Sequence, residues 1–200
     1  MSEITVPDYD DLILTGLSLS APAQVNRSVW TGKRKVVGMP GIELWTASVT
    51  IDTQATEEAE RPWRAFLWAL KGPVNSFRWK LPCATHGGSK PTVDTGASNG
   101  YALPLTGLSP STTILKAGQF MTVPLPSGAY RLVCLTADLV ANGSGKATAQ
   151  FVPALGEIPT GGVTVETKDP FILFSPTEAV LGFGYDGGVS GASFDVEEVR

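Results

Sequence analysis

Two periodicities divide this chain: a two-residue alternation that covers most of it and one 3.6-residue pattern confined to a single segment. Alternation puts successive side chains on opposite faces of a strand, whereas positions three and four apart share a helix face. In IELWTASVTID, from Ile42 to Asp52, the residues Trp45, Ala47, Val49 and Ile51 fall on one face, which predicts a long strand with that face on the core. The earlier run LILTGLSLS, from Leu12 to Ser20, predicts another strand. Between them, VNRSVWTGKRKVV sets Val25, Arg27 and Val29 against Asn26, Ser28 and Trp30 before a turn near Thr31 and Gly32. Two strands joined there make a hairpin with a basic tip.

The segment ATEEAERPWRAFLWALKG breaks the alternation. Ala59, Trp63, Phe66, Leu67 and Leu70 recur at offsets of 4, 7, 8 and 11, the stripe of an amphipathic helix over about 56–71. Asp52, Thr53 or Thr56 can cap it, Glu57, Glu58 and Glu60 suit the positive end of its dipole, and Lys71-Gly72-Pro73 is a stop. Pro62 has no N–H to offer Glu58, so it either kinks this helix or stands in the first turn of one that begins near Glu60. Trp68 lies roughly 140° around the axis from Trp63, off the stripe. It reads either as rim packing within the subunit or as a contact with a neighbour.

After the helix, SFRWKL returns to alternation, with Phe77, Trp79 and Leu81 opposite Arg78 and Lys80. Residues 82–112 are rich in Gly, Ser, Thr and Pro and predict loops or very short strands. From Ile114, the runs ILKAGQFMTV, AYRLVCLTADLV and KATAQFVPAL alternate again, and ANGSGK is a Gly-rich hairpin turn that suits a small barrel or meander. GGVTVET, FILFS, AVLGFGY and ASFDVEEV supply the closing strands.

Composition narrows the class. The 200 residues hold 22 glycines and 15 prolines, and only 17% are charged, which predicts a turn-rich, mainly β protein whose surface suits cover by partners. A net charge of -4 argues against a general nucleic-acid binder. Lys33, Arg34 and Lys35 are a local cluster, read first as a guarded edge strand. No apolar run approaches the roughly 20 residues that span a bilayer. The start, Met1, Ser2 and Glu3, does not resemble a secretory signal, which points to cytoplasmic synthesis. Cys83 and Cys134 then read as small buried hydrophobes, with a disulfide between them as the other arrangement.

Little in the sequence carries catalysis. His86 is the single histidine and sits in a Gly/Ser loop without a nucleophile motif, and one histidine with two distant cysteines makes no zinc site. Asp8, Asp10 and Asp11 lack the calcium-loop pattern, and ANGSGK lacks the spacing of a phosphate loop. The reading is therefore a non-enzyme with no cofactor and no metal. Trp30, Trp45, Trp63, Trp68 and Trp79 leave a carbohydrate-binding β-sandwich module as the alternative, although four of the five are accounted for by strand or helix faces.

The run VNRSVWTGKRKVVGMPGIELWTASVTI, followed by ERPWRAFLWALKGPVNSFRWKLP, is similar to the N-terminal part of small tail proteins of long-tailed bacteriophages and prophages. ILKAGQFMTV with YRLVCLTADLVANGSGKATAQFVPAL, and the closing FDVEEV, resemble the later parts of such proteins. The resemblance covers residues 25–200 as a pattern of turns and alternation. It implies a distal tail or tail hub subunit, with a tail-tube-like β-sandwich or split barrel over 1–82 and 168–200, the helix packed on it, and a small β-barrel inserted over 83–167. It also implies a ring, commonly sixfold, that joins tail tube to baseplate or host-binding fibres in the virion, with DNA only passing through the lumen and no membrane insertion. Trp68, Trp30, Lys33, Arg34 and Lys35 are the expected subunit or partner contacts.

Overall fold

A computed structural model describes residues 1–38, 42–81, 90–186 and 189–200. It is mainly β, with one α-helix among the described residues. The chain begins with β1 (Glu3–Ile4), β2 (Leu12–Ser20), β3 (Ala23–Arg27) and β4 (Arg34–Gly38). Next come β5 (Leu44–Gln54), α1 (Glu57–Leu70), a 3-10 turn (Gly72–Val74) and β6 (Ser76–Lys80). Seven strands follow: β7 (Thr92–Val93), β8 (Ala102–Thr106), β9 (Thr113–Leu115), β10 (Phe120–Pro124), β11 (Tyr130–Leu135), β12 (Leu139–Val140) and β13 (Ala147–Val152). The chain closes with β14 (Phe171–Pro176), β15 (Gly184–Asp186) and β16 (Val189–Glu198). Contacts gather these elements into two compact units. The first holds Met1–Ser18, Trp45–Lys80 and Phe171–Arg200, and the second holds Leu19–Leu44 and Leu81–Pro170.

The first unit is built on a sheet in the order β1-β6-β14-β16-β5-β2, with β15 paired to β16. Trp45, Ala47, Val49 and Ile51 of β5 and Ala192, Phe194 and Val196 of β16 are buried, as alternation demands of a half-buried sheet. Trp63, Phe66, Leu67 and Leu70 of α1 are buried as well. Aromatic rings link helix to sheet edge to face: Trp63 to Phe66 at 5.7 Å, Phe66 to Phe77 at 5.5 Å, and Phe77 to Phe194 at 6.4 Å. Such pairs add about 0.5–1.5 kcal/mol each beyond the area they bury.

The helix settles its cap among the candidates the sequence offered and differs from its sequence reading in two details. Thr56 is the N-cap, its hydroxyl accepting from the Ala59 amide, and the helix starts at Glu57. Pro62 therefore stands beyond the first turn. Ala59, expected on the buried stripe, is exposed, and Glu60 is buried in its neighbourhood instead. Burial of that carboxylate is compensated by Arg64 one turn later, whose Nη2 lies 2.5 Å from Oε1. At the far end Lys71 itself takes the left-handed conformation, and its amide closes on the Trp68 carbonyl.

The second unit contains a five-stranded sheet in the order β10-β11-β13-β8-β7 and a small β12-β9 ladder. Its core gathers Leu103, Leu105, Leu115, Met121, Val123, Val133, Leu135, Leu139, Phe151 and Val165, all essentially without solvent contact. Residues 163–166 bond to both outer strands. The Val93 amide donates to the Val163 carbonyl on the β7 side, while Thr122 and Glu166 exchange both bonds on the β10 side. β8 lies in the stretch expected to be loops or very short strands, and it supplies Leu103 and Leu105 to this core. ANGSGK does form a tight turn, with Asn142 Oδ1 accepting from the Ser144 and Lys146 amides. The strands it joins find their partners elsewhere: β12 pairs with β9, and β13 pairs with β8 and β11.

Candidate functional site

Three surfaces stand out from this scaffold. The first is the outer face of the β2, β5 and β16 part of the first unit's sheet. Because Trp45, Ala47, Val49 and Ile51 point to the core, Thr46, Ser48 and Thr50 must point away, and their cross-strand partners are Glu197, Asp195 and Ser193. The Ser48 hydroxyl donates to Asp195 Oδ1 at 2.5 Å, and the Thr50 and Ser193 hydroxyls lie 3.2 Å apart. From β2, the Thr15 hydroxyl donates to the Ser48 carbonyl, and the Thr46 hydroxyl donates to the Ser18 carbonyl. None of the three strands contains a lysine or arginine. A shallow hollow of about 370 Å³ opens on this face between Gly16, Thr46, Ser48, Thr177 and Asp195. Chemically it offers hydroxyls and carboxylates to solvent and no fixed positive charge.

The second surface is the arm made by β3 and β4. Among the described strands these two pair only with each other, from Ala23 opposite Gly38 to Arg27 opposite Arg34, and every residue of both is exposed. Their connection is a loop closed by the Ser28 amide on the Lys33 carbonyl. Val29 and Trp30, which alternation placed on a strand, sit in that loop and are 95% and 97% exposed. Lys33, Arg34 and Lys35 are exposed with them, so the predicted basic tip is present as a surface. Trp68 forms the third surface. It stands off the buried stripe of α1 and is 62% exposed, so that most of the indole faces solvent and the rest is covered within the chain.

Sequence reasoning missed a polar network inside the second unit. Arg131, on β11, is fully buried; its Nε donates to the Ala154 carbonyl at 3.1 Å and its Nη2 to the Glu43 carbonyl at 2.7 Å. The Glu43 carboxylate in turn accepts from the Ala154 amide and the Tyr101 hydroxyl, both at 2.9 Å. That hydrogen bond to Glu43 raises the Tyr101 phenol above its ordinary range. An arginine on an alternating strand reads as solvent-facing, and the carbonyls of the distant Glu43 and Ala154 help to explain its burial. Nearby, Glu166 pairs with Lys90 and accepts from the Lys168 and Asp169 amides. Burial opposes its ionisation, but Lys90 and the two amides outweigh burial and hold its carboxyl below the usual value.

The chemistry-bearing candidates do not converge. Among the described residues no three His, Cys, Asp or Glu side chains are placed to hold a metal. Asp11 instead accepts from the Gln54 amide and the Trp63 indole, both at 3.4 Å, while Asp8 accepts from the Asp10 amide. His86 and Cys83, and with Cys83 its pairing with Cys134, lie outside the described residues; Cys134 itself is half-buried. Among the described residues no helix is long and apolar enough to cross a membrane. Compared with models of protein families and with curated proteins, the sequence matches none.

Proposed function

We propose that this chain is a non-enzymatic structural subunit of the tail tip of a long-tailed bacteriophage. It is a distal tail or hub protein that forms a ring, commonly sixfold, between the tail tube and the baseplate or host-binding fibres. The observation that carries this reading is the polar face of β2, β5 and β16. A wall of hydroxyls and carboxylates without lysine or arginine offers DNA phosphates no cation to displace their counterions, so DNA passes along it without being held. The opposite face of the same sheet is filled by the apolar core, which makes the sheet a wall finished on one side. In the finer reading residues 1–82 and 168–200 are a tail-tube-like split barrel and residues 83–167 an inserted small barrel. The nine-residue β2 ends its sheet with one edge unpaired among the described strands, and Trp68 is largely exposed; both are surfaces that a ring subunit buries against its neighbours.

Electron microscopy of the purified protein tests the reading. Rings with a central hole are expected, and particles that stay monomeric at high concentration and do not join tail complexes would reject it. Trp30 and Trp68, the two exposed tryptophans among the described residues, are what a carbohydrate-binding module would use. That alternative predicts monomers whose tryptophan fluorescence is quenched by sugars.

A further inference from the structure

We infer that the β3–β4 arm of one copy docks onto the acidic end of the first unit of the next copy, so that subunits join head to tail. The inference rests on the ring reading and names the contact that builds it. Three features of the arm ask for an anionic and partly apolar partner. Val25 faces Val36 directly across the ladder and both are exposed, as is Val37. On the same face, the next matched pair along the ladder is Arg27 opposite Arg34. Like charges directly opposite each other destabilise a ladder, and an isolated two-stranded hairpin is marginal in water even without them. Among the described residues, none of Arg27, Lys33, Arg34 and Lys35 forms an ion pair.

Charge complementarity points to a second copy as the occupant. Four of the chain's 15 lysines and arginines lie on this arm, which has no acidic residue; the rest of the chain keeps 11 against 19 acidic residues, a net charge of -8. In the first unit, acidic side chains collect where β5 runs into α1. Asp52, Glu57 and Glu58 are exposed there, and the loop bearing exposed Asp8 and Asp10 is tied to the same end. The tie is made by the Asp52 amide on the Asp11 carbonyl and by the Gln54 and Trp63 bonds to the Asp11 carboxylate. Of the two glutamates opening the helix, Glu57 has only a loose pairing with Arg61, at 3.7 Å. Arm and acidic end are different patches, so their contact is heterologous and propagates from copy to copy until a ring closes.

Charge reversal tests this directly. Arg27→Glu with Arg34→Glu makes the arm acidic, and Glu57→Lys with Glu58→Lys makes the receiving end basic. Sedimentation velocity over a concentration series should show wild-type protein assembling, and each double variant assembling at least about tenfold more weakly. All four positions are exposed, so circular dichroism should show both variants folded. Mixing the two variants restores opposite charges at every contact and should restore assembly, an outcome that misfolding cannot produce. If wild type assembles and both variants assemble equally well, or if the mixture stays dissociated, the docking is wrong and the ring reading stands. If wild type remains monomeric at every concentration, the docking is wrong, and if it also fails to join tail complexes the ring reading falls with it.

Discussion

In the second unit, residues 163–166 bond to both outer strands of the five-stranded sheet, whereas in the first unit β2 ends the larger sheet with its outer edge unpaired among the described strands. The difference extends to the faces. The second unit folds its sheet around one apolar cluster, while the first buries one face under α1 and leaves a ladder of Thr, Ser, Asp and Glu on the other. A sheet whose edges are both paired has satisfied its backbone groups within the chain; one with a long free edge remains able to accept a strand. The comparison teaches where assembly belongs: the five-stranded sheet of the second unit is internally complete, whereas the first unit's sheet and the exposed β3–β4 arm have bonds left to make.

The largest test removes one core ring from each unit. Phe77→Ala in the first unit and Phe151→Ala in the second should each cost about 3–5 kcal/mol, measured by denaturant unfolding. Hydrogen exchange then sharpens the comparison: protection should fall in β5, β14 and β16 for the first variant and in β8, β11 and β13 for the second. A loss shared equally by all six strands would mean that the two units unfold as one.

Next in size is Gly145→Ala in the second unit. Gly145 has a φ of 71°, and a Cβ there would lie 2.5 Å from the Leu108 carbonyl oxygen, so the turn after β12 must shift. The expected cost is about 2–3 kcal/mol in thermal or chemical unfolding. Thr56→Ala, which removes the cap of α1, should cost about 1 kcal/mol and leave the second unit's exchange pattern unchanged.

The smallest effect concerns pH. The folded Glu166 carboxyl ionises below its ordinary value of 4.5, so its contribution to stability is fully present above that value and is lost as pH falls through the lower folded one. Replacing Lys90 with Ala removes one cause of the depression and should flatten the acid limb of the stability curve. An unchanged acid limb would mean that the two backbone amides alone hold Glu166.

Some of this was legible in the letters. The stripe of Trp63, Phe66, Leu67 and Leu70 and the alternation of Trp45, Ala47, Val49 and Ile51 were readable because local periodicity alone decides which side chains share a face. β8 was not. Its five residues lie in a Gly- and Pro-rich stretch and include Pro104, which argues against an inner strand, yet β7 and β13 flank it. The burial of Arg131 and Glu60 was not legible either, since a charge is buried when a partner arrives. Arg64 is one turn from Glu60, but Glu43 and Ala154 reach Arg131 from far along the chain.

The sequence by itself determined the mainly β class, the one helix with its buried face and stop, and the basic hairpin, because each depends on spacings within a few residues. Only the tertiary structure decided which edges pair and which stay open, that the polar sides of β2, β5 and β16 form one continuous face, and that the arm stands with all its residues exposed. Those properties depend on strand order and on residues far apart in the chain meeting, and no local pattern encodes that.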